Sequence, residues 1–365
     1  MLEFIKMDKK SWKRVDYPIL LCTIAIVLIG IACIYSIIGR DNAQKQLVWL
    51  CLSLFVIFFV MNIDYKIICN YADIFYWITV AMLLYTRFFG RVVKGARGWI
   101  FIGGFSIQPA ELAKVAIIII LAKKLEEMES NVNNLKNFSI LAMYCFIPML
   151  LIVLQPDMGM TLVCFFIVLG IFYSAGLNKK VIYVGLVSMV LLVTVVWFSN
   201  LMQPHWKARL ISFLNPEKYM QDSGYQVMQA LIAIGSGELF GSGFMKGTQV
   251  AYVPEAHTDC IIAAYGEQWG FLGIVMLMFL YGLVIYRAIK IASNSRDIMG
   301  SVITIGVVSY LLFSLIQNIG MNISLMPVTG ITLPFFSYGG SSLLTNFISL
   351  GLVLNVGMHN ERFSI

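Results

Sequence analysis

Charge is scarce in this sequence, so the places where it gathers are the places to look for chemistry. Glu255, His257, Asp259 and Glu267 fall within thirteen positions, in a chain of which only 12% is charged. A glycine-rich run (Gly235, Gly237, Gly241, Gly243) lies upstream and a long apolar run follows. A carboxylate beside cations at a membrane edge can serve as a general base, its pKa set by burial and neighbours. Asp259 is the candidate for that role. A simpler reading competes: Thr258 and Asp259 precede the apolar run Cys260–Ala264, and aspartate is a favoured helix N-cap. His257 could move protons or bind phosphate. It has no second histidine or carboxylate at ligand spacing, so a metal site has little support and a divalent cofactor cation stays open. Glu267 reads as a helix-end or packing carboxylate.

Three further clusters stand out. Gln108-Pro-Ala-Glu-Leu-Ala-Lys114 opens an apolar run. Pro109 suits a first helical turn, which places Glu111 and Lys114 at i and i+3 on one face, within pairing distance. A charge deep in a span costs about 2.5–3.5 kcal/mol on insertion scales, so such residues face protein or a wet cavity. The pair is either a structural tie between helices or a phosphate-binding lysine oriented by its glutamate. In Gln155-Pro-Asp157, Asp157 reads as the cap of the next helix. The stretch from Met326 to Ser342 holds two prolines, three glycines and several hydroxyls. Irregular backbone of that kind is tolerated at a membrane only under protein or beside a water-filled cavity. Ser341 or Ser342 would cap the helix that follows, whose free N–H groups could hold an anion.

The elements that must position these groups are membrane helices. The chain has 365 residues, 59% of them hydrophobic, and a mean hydropathy of +0.84; a soluble domain keeps about a quarter of its residues charged. Apolar runs of about 20 residues, the length that crosses a bilayer as helix, predict ten spans: 17–39, 46–63, 66–86, 109–125, 138–155, 158–175, 181–200, 266–292, 300–322 and 341–358. The whole chain, 1–365, reads as one transmembrane domain, with a tail at 1–16, a large loop at 201–265 and a tail at 359–365. The first span is too long for a removable signal and lacks a small-residue cleavage site. Lys6, Lys9, Lys10, Lys13 and Arg14 hold the N-terminus in the cytoplasm by the positive-inside rule, and an even span count returns the C-terminus there. Two outer loops break that rule: Arg87, Arg91, Lys94 and Arg97 in one, Lys207, Arg209, Lys218 and Lys246 in the other. Either long loops translocate regardless of charge, which covers the second loop better than the first, or these cations face an anionic ligand outside. Trp206, Leu210, Phe213 and Leu214, and then Tyr225–Ile234, have amphipathic spacing, suited either to the headgroup layer or to packing on neighbouring loops. Seven cysteines without CxxC or Cys/His spacing indicate neither a disulfide framework nor zinc. The net charge of +7 reports topology and anionic headgroups, not nucleic acid.

Five motifs, in this order, make the chain similar to the shape, elongation, division and sporulation family, the RodA, FtsW and SpoVE polytopic proteins. They are Gly95-Ala-Arg-Gly-Trp99, Gln108-Pro-Ala-Glu-Leu-Ala-Lys114, Gln155-Pro-Asp157, Pro254-Glu-Ala-His-Thr-Asp259 and the stretch Pro327–Ser342. The resemblance runs from about residue 30 to 358. It implies an all-α polytopic fold and a peptidoglycan glycosyltransferase that polymerises lipid II on the outer face of the bacterial cytoplasmic membrane. Its essential carboxylate falls on Asp259, its intramembrane pair on Glu111 and Lys114, and its outer-loop residues on Arg97 and Trp99. Arg97, Lys114, Lys246 and Arg209 would hold the phosphates, and Thr258, His257, Ser337 and Ser342 would complete the substrate contacts. Lys246-Gly-Thr-Gln249, the short N-terminal tail and Leu354-Asn-Val-Gly-Met-His359 resemble the RodA branch, which implies a role in elongation and rod shape. Cys260-Ile-Ile262 and Gln268 depart from the family's pattern. Partners implied are lipid II and the nascent glycan strand, a single-span class B penicillin-binding protein that crosslinks it, and other membrane proteins of the elongation or division machinery. The alternatives are a lipid II flippase and a non-catalytic scaffold. A transporter should show inverted repeats and broken helices at the midplane; no clear repeat is visible in the sequence.

Overall fold

In lipid, backbone N–H and C=O groups must be satisfied within the chain, so apolar runs of this length fold as helices. The computed structural model describes residues 12–93, 96–102, 105–198, 207, 211, 213 and 223–359. Its helices are α1 (Tyr17–Ile38), α2 (Arg40–Asn62), α3 (Tyr65–Asn70), α4 (Ala72–Phe89), α5 (Pro109–Glu127), α6 (Leu135–Leu154), α7 (Met158–Ser174), α8 (Lys179–Phe198), α9 (Ser223–Ser236), α10 (Ile261–Ser293), α11 (Ile298–Asn322) and α12 (Gly340–His359). Among them α1, α2, α4, α6, α10, α11 and α12 are long and apolar enough to cross a membrane. The other expected spans fall on α5, α7 and α8. Helix α5 carries Glu111, Lys114, Lys123 and Lys124 along its length, and α7 has 17 residues.

The molecule is built around α12, which is buried along nearly its whole length. Helices α2, α5, α10 and α11 all contact it. The two ends of the bundle differ in chemistry. At one end Tyr65 Oη donates to Asp297 (2.6 Å), Lys66 pairs with the same carboxylate (2.9 Å), Glu126 accepts from the Met299 N–H (2.9 Å) and Arg287 pairs with Asp16 (2.7 Å). The other end gathers the first turns of α2, α5 and α7 and the segments 254–260 and 326–339.

Five features depart from the sequence expectations. The span expected at 66–86 is divided at Tyr71 into α3 and α4. Helix α2 begins at Arg40 rather than near 46, because Gly39, at φ 84°, turns the chain directly from α1 into α2. The stretch after α4 forms a three-stranded antiparallel sheet in the order β1 (Arg91–Val93), β2 (Ala96–Ile102), β3 (Phe105–Ile107). The span expected at 266–292 starts at Ile261 and breaks at Gly270 (φ 65°, ψ −166°). The break is filled from upstream: the Ser242 and Gly243 N–H groups donate to Glu267 and Gln268 carbonyls (2.8 and 3.1 Å), while Phe271 and Leu272 N–H groups donate to Glu238 and Leu239 carbonyls (2.9 and 3.1 Å). Backbone groups freed by a helix break need such partners. Lastly, α12 opens at Gly340, so Ser341 and Ser342 lie inside its first turn rather than capping it.

Of the two amphipathic segments, the one around Trp206–Leu214 falls largely outside the described residues. The other, α9, is packed rather than laid on a surface: Ala230 and Ala233 are fully buried against Val253, Ala256, Cys260 and Ala263.

Candidate functional site

A cavity of about 1110 Å³ opens at the end where the first turns of α2, α5 and α7 meet. Its wall includes Trp99 from β2, Glu111 and Lys114 from α5, Asp157 before α7, Glu255, His257, Thr258 and Asp259 before α10, and Ser342 from α12. These residues come from positions more than 200 apart in the chain, brought together because α5, α11 and α12 pack side by side.

Asp259 is buried and its side chain reaches this wall. The N-cap of α10 is Cys260, whose side chain makes no capping bond. Asp259 stands one residue ahead of that cap position. Its main-chain carbonyl accepts amide hydrogens from Asn318 (2.9 Å) and Asn322 (3.1 Å) of α11. Gly330, at φ 76°, passes beside the carboxylate: a Cβ there would stand 3.5 Å from Oδ2.

Below it, Lys114 Nζ pairs with Glu111 Oε2 at 2.7 Å, and both side chains are buried. The Thr345 hydroxyl of α12 lies 2.9 Å from the same oxygen as donor, and Lys114 Nζ stands 4.7 Å over the Tyr310 ring of α11. The pair therefore ties three helices and also lines the cavity, so the two readings of it are not exclusive. Asp157 caps α7 as expected, accepting from Met160 N (3.0 Å), and its second oxygen accepts from Gln108 Nε2 (2.9 Å). His257 presents its ring to Tyr338 at 5.9 Å between centroids, and burial pushes the Tyr338 phenol upward, keeping it a neutral donor. Thr258 Oγ1 donates to Glu255 (2.9 Å). Among the described residues no three His, Cys, Asp or Glu side chains converge as a metal site.

Several expected contacts are elsewhere. Arg97 is exposed on β2 and is not on the cavity wall; it pairs with Val92 across the sheet, and its N–H donates to the Gln155 carbonyl (3.2 Å). Lys246 is exposed beside Gly243, away from the cavity, because the 238–243 segment it follows is threaded into the break of α10. Ser337 is a clamp, not a cavity group: its hydroxyl donates to the Thr258 carbonyl (2.6 Å) and accepts from Leu333 N (2.9 Å). Arg209 lies outside the described residues. Ser342 does reach the wall, 3.4 Å from the Thr332 hydroxyl. Glu267 is a packing carboxylate of a particular kind, accepting from the N–H groups of Thr248, Gln249 and Val250 (2.6, 2.8 and 2.7 Å) at the start of a 3-10 turn.

The cavity also has members outside the sequence motifs. Asp41, Gln44 and Lys45 line it from the first turns of α2, and Ser314 and Asn346 from within α11 and α12. The i, i+4 spacing of Asp41 and Lys45 ahead of an apolar run was the available signal. Lys45 and Lys114 are the lysines on the wall among the described residues.

The comparisons agree with this architecture. The family model for FtsW, RodA and SpoVE, described as cell cycle protein, matches residues 15–362. Stage V sporulation protein E of Bacillus subtilis is 33% identical, covering 95% of this chain and 98% of its own. Peptidoglycan glycosyltransferase MrdB of Escherichia coli is 32% identical, covering 98% and 97%. A solved chain described as "Structural coordination of polymerization and crosslinking by a peptidoglycan synthase complex" superposes with a TM-score of 0.83 at 30% identity, over 96% of this chain and 99% of that one. The crystal structure of the rod shape determining protein RodA of Thermus thermophilus gives 0.74 at 28%, over 95% and 98%. Apolar helices and relatives together make this a multi-pass membrane protein, and the chain belongs to the FtsW, RodA and SpoVE family of cell cycle proteins.

Proposed function

We propose that the chain is a peptidoglycan glycosyltransferase that polymerises lipid II on the outer face of the bacterial cytoplasmic membrane, with Asp259 as general base. The observation that carries this reading is the placement of the Asp259 carboxylate on one cavity wall with Lys114, Glu111, His257 and Thr258. In the reaction a sugar hydroxyl of one chain attacks the anomeric carbon of another. The new glycosidic bond forms as the bond to the lipid diphosphate breaks, and the hydroxyl proton passes to the carboxylate. The departing diphosphate needs positive charge where it leaves, and Lys114 with Lys45 is the pair of lysines the described wall offers. Trp99, an aromatic group on the same wall, is suited to pack against a sugar ring. Activity reported in the names of the relatives supports the same reaction class.

The end rich in Lys66, Lys123, Lys124, Arg287 and Lys290 then faces the cytoplasm, with both termini, as the positive-inside rule requires. The match to a chain from a complex that couples polymerisation and crosslinking supports a class B penicillin-binding protein as partner. The RodA-like motifs support a role in elongation, and cells losing this chain should round up rather than filament.

The test supplies labelled lipid II to the purified full-length protein, with and without that transpeptidase. Wild type should yield glycan polymer and Asp259→Asn almost none. Equal polymer from both removes Asp259 as the base, and lipid movement across vesicles without polymer establishes a transporter instead.

A further inference from the structure

A general base must be held in place as well as ionised, and the side chain of Asp259 hangs from a segment with no helix of its own. Ser337 and the Tyr338 N–H hold that segment at Thr258 and His257; at Asp259 itself it is held by a pair of asparagines one turn apart on α11. Asn318 Nδ2 donates both to the Asp259 carbonyl (2.9 Å) and to the Ile331 carbonyl (2.8 Å). Asn322 Nδ2 donates to the same Asp259 carbonyl (3.1 Å) and to the Asn318 carbonyl (2.8 Å). Both side chains are essentially fully buried, and neither lies on the cavity wall.

Two features mark this as more than ordinary packing. Every one of the four contacts is to a carbonyl oxygen, which can only accept, so the NH2 group must face them. The Oδ1 atoms of both residues are buried and accept no hydrogen bond from another protein group among the described residues. The second feature is what Asn318 joins. Ile331 follows Gly330, where an added Cβ would come within 3.5 Å of the Asp259 carboxylate, so one amide group joins the aspartate to the loop that passes beside its side chain.

We propose that Asn318, with Asn322 behind it, is the positioning residue that sets where the Asp259 carboxylate stands in the cavity. The proposal rests on the reading of Asp259 as general base. Displacing a reacting group by on the order of 1 Å can cost about 100-fold in rate. Asn318→Leu keeps the volume and removes the donors; Asn322→Leu removes one of the two contacts to Asp259 while Asn318 still bridges. Gln317→Leu is the comparison, because Gln317 Nε2 holds the same loop at the Pro327 carbonyl (2.9 Å) without touching Asp259.

The experiment measures lipid II polymerisation by the full-length variants, per monodisperse folded molecule, against substrate concentration and pH. Asn318→Leu should lower kcat by about 10- to 100-fold with KM within about twofold of wild type. The acid limb of its kcat/KM profile should move by about 0.5 pH unit, because that limb reports the base in the free enzyme and a changed environment shifts a carboxylate. Asn322→Leu should show the same pattern at smaller size, and it decides the matter if Asn318→Leu does not fold. Gln317→Leu should leave the acid limb in place. An Asn318→Leu protein with wild-type kcat and profile, or equal losses in Asn318→Leu and Gln317→Leu with no pH shift, overturns the positioning role. If Asp259→Asn is inactive while both asparagine variants behave as wild type, positioning alone fails; if Asp259→Asn is fully active, the base itself fails and positioning with it.

Discussion

A buried carboxylate can be compensated by a cation or by backbone N–H groups, and this chain uses both. Glu267 takes three N–H groups in succession; Glu111 takes Lys114 and Thr345. The second case permits a test of whether the pair serves only to join helices. Breaking a buried pair by removing one partner costs about 3–5 kcal/mol, while replacing both with apolar residues of similar volume is often neutral. Lys114→Met alone should therefore lower the thermal unfolding temperature in detergent strongly. Glu111→Leu with Lys114→Met should recover most of that loss and still yield no polymer, since the cavity then lacks its buried cation. A double variant that is both stable and active makes the pair purely structural. This pair was legible in the sequence because i, i+3 spacing on one helix is enough to bring the partners together. The directions of Arg97, Lys246 and Ser337 were not, because each is decided by an element remote in sequence: the sheet for Arg97, the break in α10 for Lys246, the Thr258 carbonyl for Ser337.

Elements here are defined by where their ends are tied. At the end of the bundle opposite the cavity, Asp297 caps α11 through the Gly300 N–H (2.8 Å) and accepts from Tyr65 of α3 (2.6 Å) and from Lys66 (2.9 Å). Burial works to raise the pKa of this carboxyl. The hydrogen bonds from Tyr65, Lys66 and Gly300 outweigh it and hold the group below its ordinary value of 3.8. A lowered folded-state pKa means that the ionised form is the one favoured by folding. Its contribution is present in full above the unfolded-state value and is lost as pH falls through the folded one. Asp297→Asn should thus melt below wild type at pH 7, and the gap should narrow steadily below about pH 4, the range where an unperturbed aspartate titrates. A gap independent of pH would show that the charge contributes nothing. Most of the long helices were legible from apolar run length alone. The sheet between α4 and α5 was not, because its strands are as short as three residues and carry a cationic signal that reads as loop. Nor was the break of α10, since a single glycine in an apolar run is ordinary in membrane helices; the chain that fills the break, not the glycine, makes it a structural feature.

At the scale of the molecule, the bundle holds one end closed with ion pairs and leaves the other hollow. A cavity of about 1110 Å³, walled by the first turns of α2, α5 and α7 and floored by α11 and α12 residues, is large enough for the head of a lipid-linked sugar. If it is the substrate site, binding must stabilise the fold whether or not chemistry follows, because a ligand bound only to the native state adds RT ln(1 + [L]/Kd). That separates binding from catalysis. Asp259→Asn in detergent with lipid II at about 100 times Kd should gain about 2.7 kcal/mol, read as a rise in melting temperature, with no polymer formed. Trp99→Ala and Lys45→Ala, which alter the wall while leaving the Asp259 side chain unchanged, should lose part of that rise. Arg97→Ala and Lys246→Ala, whose side chains stand away from the wall, should keep it. A rise abolished by Arg97→Ala but unaffected by Lys45→Ala would place the lipid headgroup outside this cavity, on the sheet. The bundle would then present its substrate to Asp259 from the side of β2 rather than from the floor.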